Sequence, residues 1–494
     1  MKTIKNLFSG IEHKLVNLNP DLKVKGISAD SRTIKSGEIF VAINGPEHNG
    51  YDYIEEALRK GAVAVCLDDP ERASAKAGLI VVKDTVTTFP VLASRVFDDP
   101  SKSLGVIGIT GTNGKTTVSY FIYEILKAAK KSPSLLGTVI YRIKDKTIKS
   151  SNTTPGPMVL HSLIRRMKDE GSDYVIMEVS SHALKQARVF GVDFKAAVLT
   201  NVTGDHLDYH GTMEDYSKSK RILFESLGEN SVAVLNKDDK FYDYFRKATK
   251  AKVLSYGIKN DADFTATEIM SDMDGSSFLM KTPVAAIKIK TPLIGLHNIY
   301  NILAAAAISF AEGISMDIVS KVVGSPILVP GRLESVNAGQ SFKIFVDYAH
   351  THDALEKVLS GLRPLCKGRL VAVFGCGGDR DKTKRPKMGR IASDIADEVI
   401  LTSDNPRTED PETILDEIES GIRKGFKRYK RITDRFAAIK ESLRDRNRND
   451  VIVIAGKGHE DYQIVGKDTL PFSDRDAVRK IMMHHSRVDD VFHK

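Results

Sequence analysis

Residues 104–110, LGVIGIT, form an apolar run that stops at Gly111-Thr112-Asn113-Gly114-Lys115-Thr116-Thr117. The apolar pattern resumes over 118–131, where Val118, Phe121, Ile122, Ile125, Leu126 and Ala129 fall at helical spacing. Strand, glycine loop and amphipathic helix in that order constrain the chain more than any other feature. They predict an α/β nucleotide-binding domain with the loop at a helix N-terminus. Backbone amides and the helix dipole there suit phosphate oxygens, Lys115 adds a point charge, and the Thr116 hydroxyl can ligate magnesium. The general P-loop spacing asks for glycine where this chain has Ile109, so the loop is a variant.

Further strands, YVIMEV and AAVLTNV, are almost continuously apolar, as a parallel sheet buried on both faces requires. Glu178 ends the first of them, where a carboxylate beside a phosphate loop is placed to hold magnesium. The stretch EVSSHALKQAR sets Ser180, Ser181, His182, Gln186 and Arg188 just beyond it, a set of donors suited to a polar anionic substrate. NVTGDHLDYHG carries two histidines and two aspartates in one short loop. His206 there is equally a metal ligand or a structural histidine. Lys220, on the expected helix MEDYSKSKRILFESL, reads in isolation as a solvated lysine. In GLHNIYNILAAAAI, Asn298 and Asn301 share a face near a helix start, where amides can meet a base or a phosphate, or simply cap and pack.

Residues 1–98 mix short strands (EIFVAI, AVAVCL, LIVV) with a helical stretch over 53–60, and predict a small α/β domain. A third segment opens near PGRLE and runs the apolar strands of RLVAVFGCGG, EVILTSDNPR and DVIVIAGKGHE into polar loops. In open α/β sheets ligands collect at such strand ends. With 494 residues, three domains are expected, divided as 1–98, 99–329 and 330–494. Apolar residues at 41% and charged residues at 28% suit a globular chain. The longest apolar run, over 302–311, is too short for a membrane span, and the N-terminus lacks the pattern of a signal peptide, so a cytoplasmic location is expected. Cys66, Cys366 and Cys376 lack CxxC spacing, which argues against disulfides and thiolate zinc. The net charge of +9 comes without a nucleic-acid module, so no nucleic-acid partner is expected, and the basic run over 422–431 reads as a solvated helix face.

GITGTNGKTT, SNTTPGP, MEVSSHAL, NVTGDHLDYHG, GLHNIYN, PGRLE, VDYAHTHDAL, GGDRDKTKRPKMG, SDNPRTEDP and AGKGHEDYQ together resemble, in order and spacing over nearly the whole chain, the Mur ligase family. The resemblance implies a UDP-binding domain, a central P-loop-type ATPase sheet and a C-terminal Rossmann-like domain. It implies an ATP-dependent ligase that adds meso-diaminopimelate to UDP-MurNAc-L-Ala-D-Glu through an acyl phosphate, a step of peptidoglycan synthesis. By that resemblance Ser31, Asn152, Thr153, Thr154, Ser180, Gln186 and Arg188 hold the UDP-linked substrate. Gly111, Thr112, Asn113, Gly114, Lys115, Thr116 and Thr117, with Asn298, Arg332 and Asp347, hold ATP. Lys115, Glu178, His206 and Lys220 form the catalytic group. Magnesium falls to Thr116, Glu178, His206 and Lys220, the last carbamylated by carbon dioxide so that a cation becomes an anionic ligand.

For the incoming amino acid the resemblance names Arg385, Asp404, Asn405, Pro406, Arg407, Gly456 and Glu460. DNPR is typical of diaminopimelate-adding members, and Arg407 can pair with the carboxylate that lysine lacks. The sequence departs from the family at His352, where proline is usual, and at Asn49, where aspartate is common. A monomer without membrane insertion is expected. The competing readings are a lysine-adding sister ligase, a folylpolyglutamate synthetase, and a P-loop switch that hydrolyses ATP without any amino-acid requirement.

Overall fold

Strand Gly105–Thr110 leads through the glycine loop into helix Lys115–Ala128, so the helix begins at the loop lysine, three residues before its apolar stripe. The structure is a computed structural model and describes residues 1–492, apart from 46–48, 73–76, 205, 206 and 328. Within it the glycine-loop strand lies inside an eleven-stranded sheet. Tyr174–Glu178 runs parallel on one side of it and Phe194–Leu199 on the other, with Glu178 opposite Ile109 and Leu199 opposite Thr110. The glycine loop, Glu178 and the segment after Leu199 therefore converge at one carboxyl edge, where open α/β sheets gather ligands. Beyond these strands the parallel order continues through Val232–Asn236 and Lys252–Gly257, and antiparallel hairpins close both ends.

Alternation along each strand divides the core. Ile107 and Ile109 pack on one face with helices Lys115–Ala128, Leu296–Ala311 and Met316–Val323, while Val106 joins the opposite face with Pro157–Asp169 and Met213–Glu225. The alanines of 304–307 are fully buried, and their small side chains let the helix Leu296–Ala311 lie close to the loop helix.

Residues before this sheet form a five-stranded one, in the order His13–Val16, Leu79–Val82, Ala64–Leu67, Glu38–Val41, Gly26–Ser28. Those after it form a six-stranded sheet in which Lys343–Asp347, Val451–Ala455, Leu370–Phe374, Glu398–Leu401 and Tyr429–Arg431 lie parallel in that order. The fold is thus α/β throughout. The three cysteines are buried and unpaired. Among the described residues no helix is long and apolar enough to cross a membrane.

The basic run over 422–431 is not the helix face expected of it. Helix Pro411–Glu419 stops short, Gly425 takes a left-handed φ of 86°, and Tyr429–Arg431 becomes an edge strand. Gly421 just before the run and Gly425 within it break the helix. Arg431 then turns back to pair with Glu412, Asp416 and Glu419 on the preceding helix.

Candidate functional site

The loop is shaped by contacts that only glycine tolerates. Gly111 has a φ of 143°, and a Cβ there would lie 1.9 Å from the Thr200 hydroxyl; at Gly114 (φ 88°) it would lie 2.5 Å from Asn301 Oδ1. Asn201 accepts the Thr112 amide at 2.8 Å through its carbonyl and the Asn113 amide at 3.0 Å through its side chain. Thr112 Oγ1 donates to the Thr203 carbonyl. Lys115 Nζ donates to the carbonyls of Gly111 and Thr112, each at 2.9 Å, so the ammonium lies over its own loop. Thr117 is buried in the first turn of the helix.

At the sheet edge the Thr116 hydroxyl donates to Glu178 Oε2 at 3.0 Å, and Thr138 donates to the same carboxylate through its amide (2.8 Å) and hydroxyl (2.9 Å). Glu178 is 1% exposed. A hydroxyl and a carboxylate converging at the end of a phosphate-binding loop are oxygen donors of the kind a hard divalent cation takes. This donor set fits magnesium. Lys220, also buried, sends Nζ to the Gly111 carbonyl at 3.0 Å and over the Tyr216 ring at 4.3 Å. The reading of a solvated lysine is therefore wrong: the carboxyl edge of the sheet lies under the middle of helix Met213–Glu225. His206 lies outside the described residues.

Six of the seven residues expected to meet the UDP-linked substrate surround Glu178. Thr154 Oγ1 donates to the Glu178 carbonyl and accepts the Ser180 amide, and the Arg188 guanidinium donates to the Thr154 carbonyl at 3.0 Å and to Gln186 Oε1. Thr153 Oγ1 meets Thr138 Oγ1 at 3.1 Å, and the Asn152 carbonyl accepts the Tyr141 hydroxyl. Burial lowers the Arg188 pKa from its ordinary value. Ser31 stands apart, buried in the N-terminal sheet region, where it donates to Glu56 at 2.8 Å.

The C-terminal region meets the loop through two side chains, Arg332 and Asp353. Arg332 approaches Thr116 Oγ1 at 3.4 Å and lies over the Tyr348 ring at 4.8 Å. Asp347 accepts the amides of Leu333 and Ala349, and burial raises its pKa. Asp353 accepts from Asn113 Nδ2 (2.7 Å), Thr203 Oγ1 (2.9 Å) and Lys357 Nζ (2.7 Å). Asn298 and Asn301, both buried, are linked to each other at 3.3 Å, and Asn298 also donates to the Ile294 carbonyl.

The residues expected to meet the incoming amino acid form a second centre, at the ends of Glu398–Leu401 and Val451–Ala455. Asn405 donates to Glu460 Oε2 at 2.9 Å and accepts Lys457 Nζ at 3.0 Å; Lys457 also meets Glu460 at 3.1 Å. Burial raises the Glu460 pKa. A Cβ on Gly456 would lie 2.5 Å from Asp404 Oδ2, so glycine keeps the two loops close. Pro406 accepts the Glu409 amide, and Arg407, at a φ of 53°, donates to the Gly378 carbonyl at 2.7 Å. Arg385 is fully buried and paired with Glu409 and Glu417.

Three family models match in chain order: the Mur ligase family catalytic domain at 23–97, the Mur ligase middle domain at 109–309 and the Mur ligase glutamate ligase domain at 331–458. A relative from Bacillus licheniformis, named UDP-N-acetylmuramoyl-L-alanyl-D-glutamate--2,6-diaminopimelate ligase, is 43% identical over 469 residues, which are 94% of this chain and 95% of that one. The chain belongs to the Mur ligase family. A solved structure of a protein with the same name is 33% identical to this Mur ligase, covers 98% of it and 100% of that chain, and has a TM-score of 0.73. The Mur ligase fold is also shared with MurF ligase from Thermotoga maritima, solved with ADP, at 20% identity, 94% and 97% coverage and a TM-score of 0.62.

Sequence reasoning missed three residues of this Mur ligase. Lys457 sits inside the AGKGHE motif, yet nothing in its spacing shows that it is fully buried between Asn405 and Glu460. Asp353 carries no local sign of its reach to the glycine loop. Arg435 is buried and bidentate to Asp474, and donates to the carbonyls of Ser403 and Ala455, so it ties together the loops after Leu401 and Ala455. A buried pair of this kind depends on residues far apart in the chain, which spacing cannot show.

Proposed function

We propose that this Mur ligase uses ATP to join meso-diaminopimelate to UDP-MurNAc-L-Ala-D-Glu, releasing ADP and phosphate. Its near full-length likeness to the Bacillus licheniformis ligase of that name supports the reaction. The observation that carries the amino-acid choice is Arg407: it follows Asn405, which touches Glu460, and makes no ion pair among the described residues. A guanidinium in that state suits a second carboxylate, while Glu460 suits an ammonium.

The glycine loop and Lys115 bind and orient the triphosphate. Thr116 and Glu178, with His206 and Lys220 as assigned partners, would hold magnesium, which supplies neutralising charge at the phosphate oxygens. Thr154, Gln186 and Arg188 orient the UDP-linked substrate so that the γ-carboxylate of D-Glu faces the γ-phosphate. That carboxylate takes the phosphoryl group, giving an acyl phosphate and ADP. The amine of diaminopimelate, oriented by Arg407 and Glu460, attacks the acyl carbon, and phosphate leaves as the amide forms. In carbamylation the Lys220 amine forms a bond to the carbon of carbon dioxide and loses a proton, giving the anionic carbamate. Asp353 and Arg332 bring the C-terminal region onto the loop, so domain closure assembles the site. We further assign domain limits of 1–98, 99–329 and 330–494, a cytoplasmic location and a monomeric state.

The test is ADP release with ATP, magnesium, bicarbonate and UDP-MurNAc-L-Ala-D-Glu, with meso-diaminopimelate or L-lysine added and the product weighed by mass spectrometry. Turnover and tripeptide only with diaminopimelate are expected. Preference for lysine would overturn the Arg407 reading, and ATP hydrolysis indifferent to both would overturn the ligation.

A further inference from the structure

Arg385 and Arg407, the two guanidiniums assigned to the incoming amino acid, stand in opposite states. Arg407 donates to the Gly378 carbonyl and has no acidic partner among the described residues. Arg385 is already neutralised. Its two terminal nitrogens meet Glu409 Oε2 and Oε1, each at 3.0 Å, and it also donates to Glu417 at 2.8 Å and to the Gly377 carbonyl at 3.1 Å. Glu409 is held in turn by the Asp379 amide at 2.6 Å and by Lys382 Nζ at 3.2 Å. The glutamate side chain keeps 14% exposure where that of Arg385 has none, so a solute meets the carboxylate before the guanidinium.

We propose that Glu409 is an internal stand-in for the substrate's carboxylate: it occupies the bidentate seat on Arg385 and is displaced when the amino acid docks, which makes it a specificity-determining residue. This rests on the reading that Arg385 receives a carboxylate. A planar carboxylate gripped by both terminal nitrogens is the arrangement an amino-acid carboxylate would adopt there. Exchange therefore replaces one ion pair with another of the same kind, and Arg385 contributes little net affinity. Lys382, already in contact, offers the released glutamate a partner nearer solvent.

The apparent affinity is reduced by the fraction of molecules whose seat is open. Net binding then comes from contacts with no internal acidic competitor, chiefly Arg407. An amino acid that engages Arg407 as well as Arg385 can displace Glu409; one that lacks the second carboxylate displaces it poorly. The internal glutamate thus sharpens selection for the dicarboxylate.

The experiment compares KM for meso-diaminopimelate and for L-lysine in the unmodified enzyme, Glu409→Gln and Glu409→Asp, with ATP and the UDP-linked substrate saturating and melting curves as a folding control. Glu409→Gln removes the charge, and Glu409→Asp keeps it but shortens the reach. Both are expected to lower KM for diaminopimelate about five-fold, to lower that for lysine at least as much, and to leave KM for ATP unchanged. A KM for diaminopimelate that rises or stays level in the folded variants would overturn the proposal, because Glu409 would then be a strut for Arg385. Absence of diaminopimelate-dependent turnover in the unmodified enzyme would overturn the functional reading and this proposal with it.

Discussion

The glycine-loop centre and the amino-acid pocket use the same charged groups in opposite ways. At the loop, the buried Glu178 carboxylate accepts from neutral donors, Thr116 and Thr138, and makes no ion pair among the described residues. At the DNPR centre Glu409 is paired with Arg385 and Lys382, and Glu460 with Lys457, while Arg407 has no acidic partner among the described residues. On the proposed function, the first arrangement offers oxygen donors to a metal–phosphate group without first breaking an ion pair of Glu178 among the described residues. The second, on the proposed function, exchanges partners on binding, which suits discrimination between similar amino acids.

The contrast breaks most sharply if one chemical change is made at both centres. Glu178→Gln keeps acceptor and shape toward Thr138 but removes the charge, and turnover is expected to fall by about 10²-fold or more with an unchanged melting curve, since charge there acts at the transition state. Glutamine at 409 should leave turnover intact. Near-equal losses in both variants, by ADP release, would erase the distinction. Next in size, Arg407→Ala should cut kcat/KM for diaminopimelate by about 10- to 100-fold, the loss of a charged hydrogen bond, while KM for ATP stays put. Equal loss with lysine would show that Arg407 does not read the second carboxylate.

Smaller effects sharpen the picture. Asp353→Ala should lower kcat about five-fold, because it removes the hydrogen bonds that Asn113 and Thr203 donate to the C-terminal region. A double-mutant cycle with Asn113→Ala should be non-additive, and simple additivity would show that the contact does not couple loop and domain. The smallest effect concerns acid stability. Hydrogen bonding to Arg385 holds the Glu409 pKa down at about 2, against an ordinary 4.5. The folded state thus favours the carboxylate, and the stabilisation is present above the ordinary value and lost as pH falls toward about 2. The melting-temperature advantage of the unmodified enzyme over Glu409→Gln should shrink across that window. A constant difference down to pH 2 would place the effect elsewhere.

Much of the central site was legible because it is written locally. Gly111 and Gly114 sit where positive φ and close approach leave no room for a Cβ, Thr116 follows at the helix start, and Glu178 ends its strand. Each is dictated by backbone geometry within a few residues, and such geometry leaves motifs. The helix face expected over 422–431 does not form for a related local reason: Gly425, within the run, takes a left-handed φ.

By itself the sequence determined the α/β class, the phosphate loop and, through motif order, the family. Only the tertiary structure decided which charges are balanced. Lys220 is buried against the Gly111 carbonyl, Lys457 is locked between Asn405 and Glu460, Asp353 reaches the loop from the first turn of helix His352–Leu362, and Arg385 is already paired. Electrostatic pairing depends on distance in space and on shielding from water, neither of which a chain position carries. The partners of these groups are set by how separate sheets pack, and so appear only once the chain has folded.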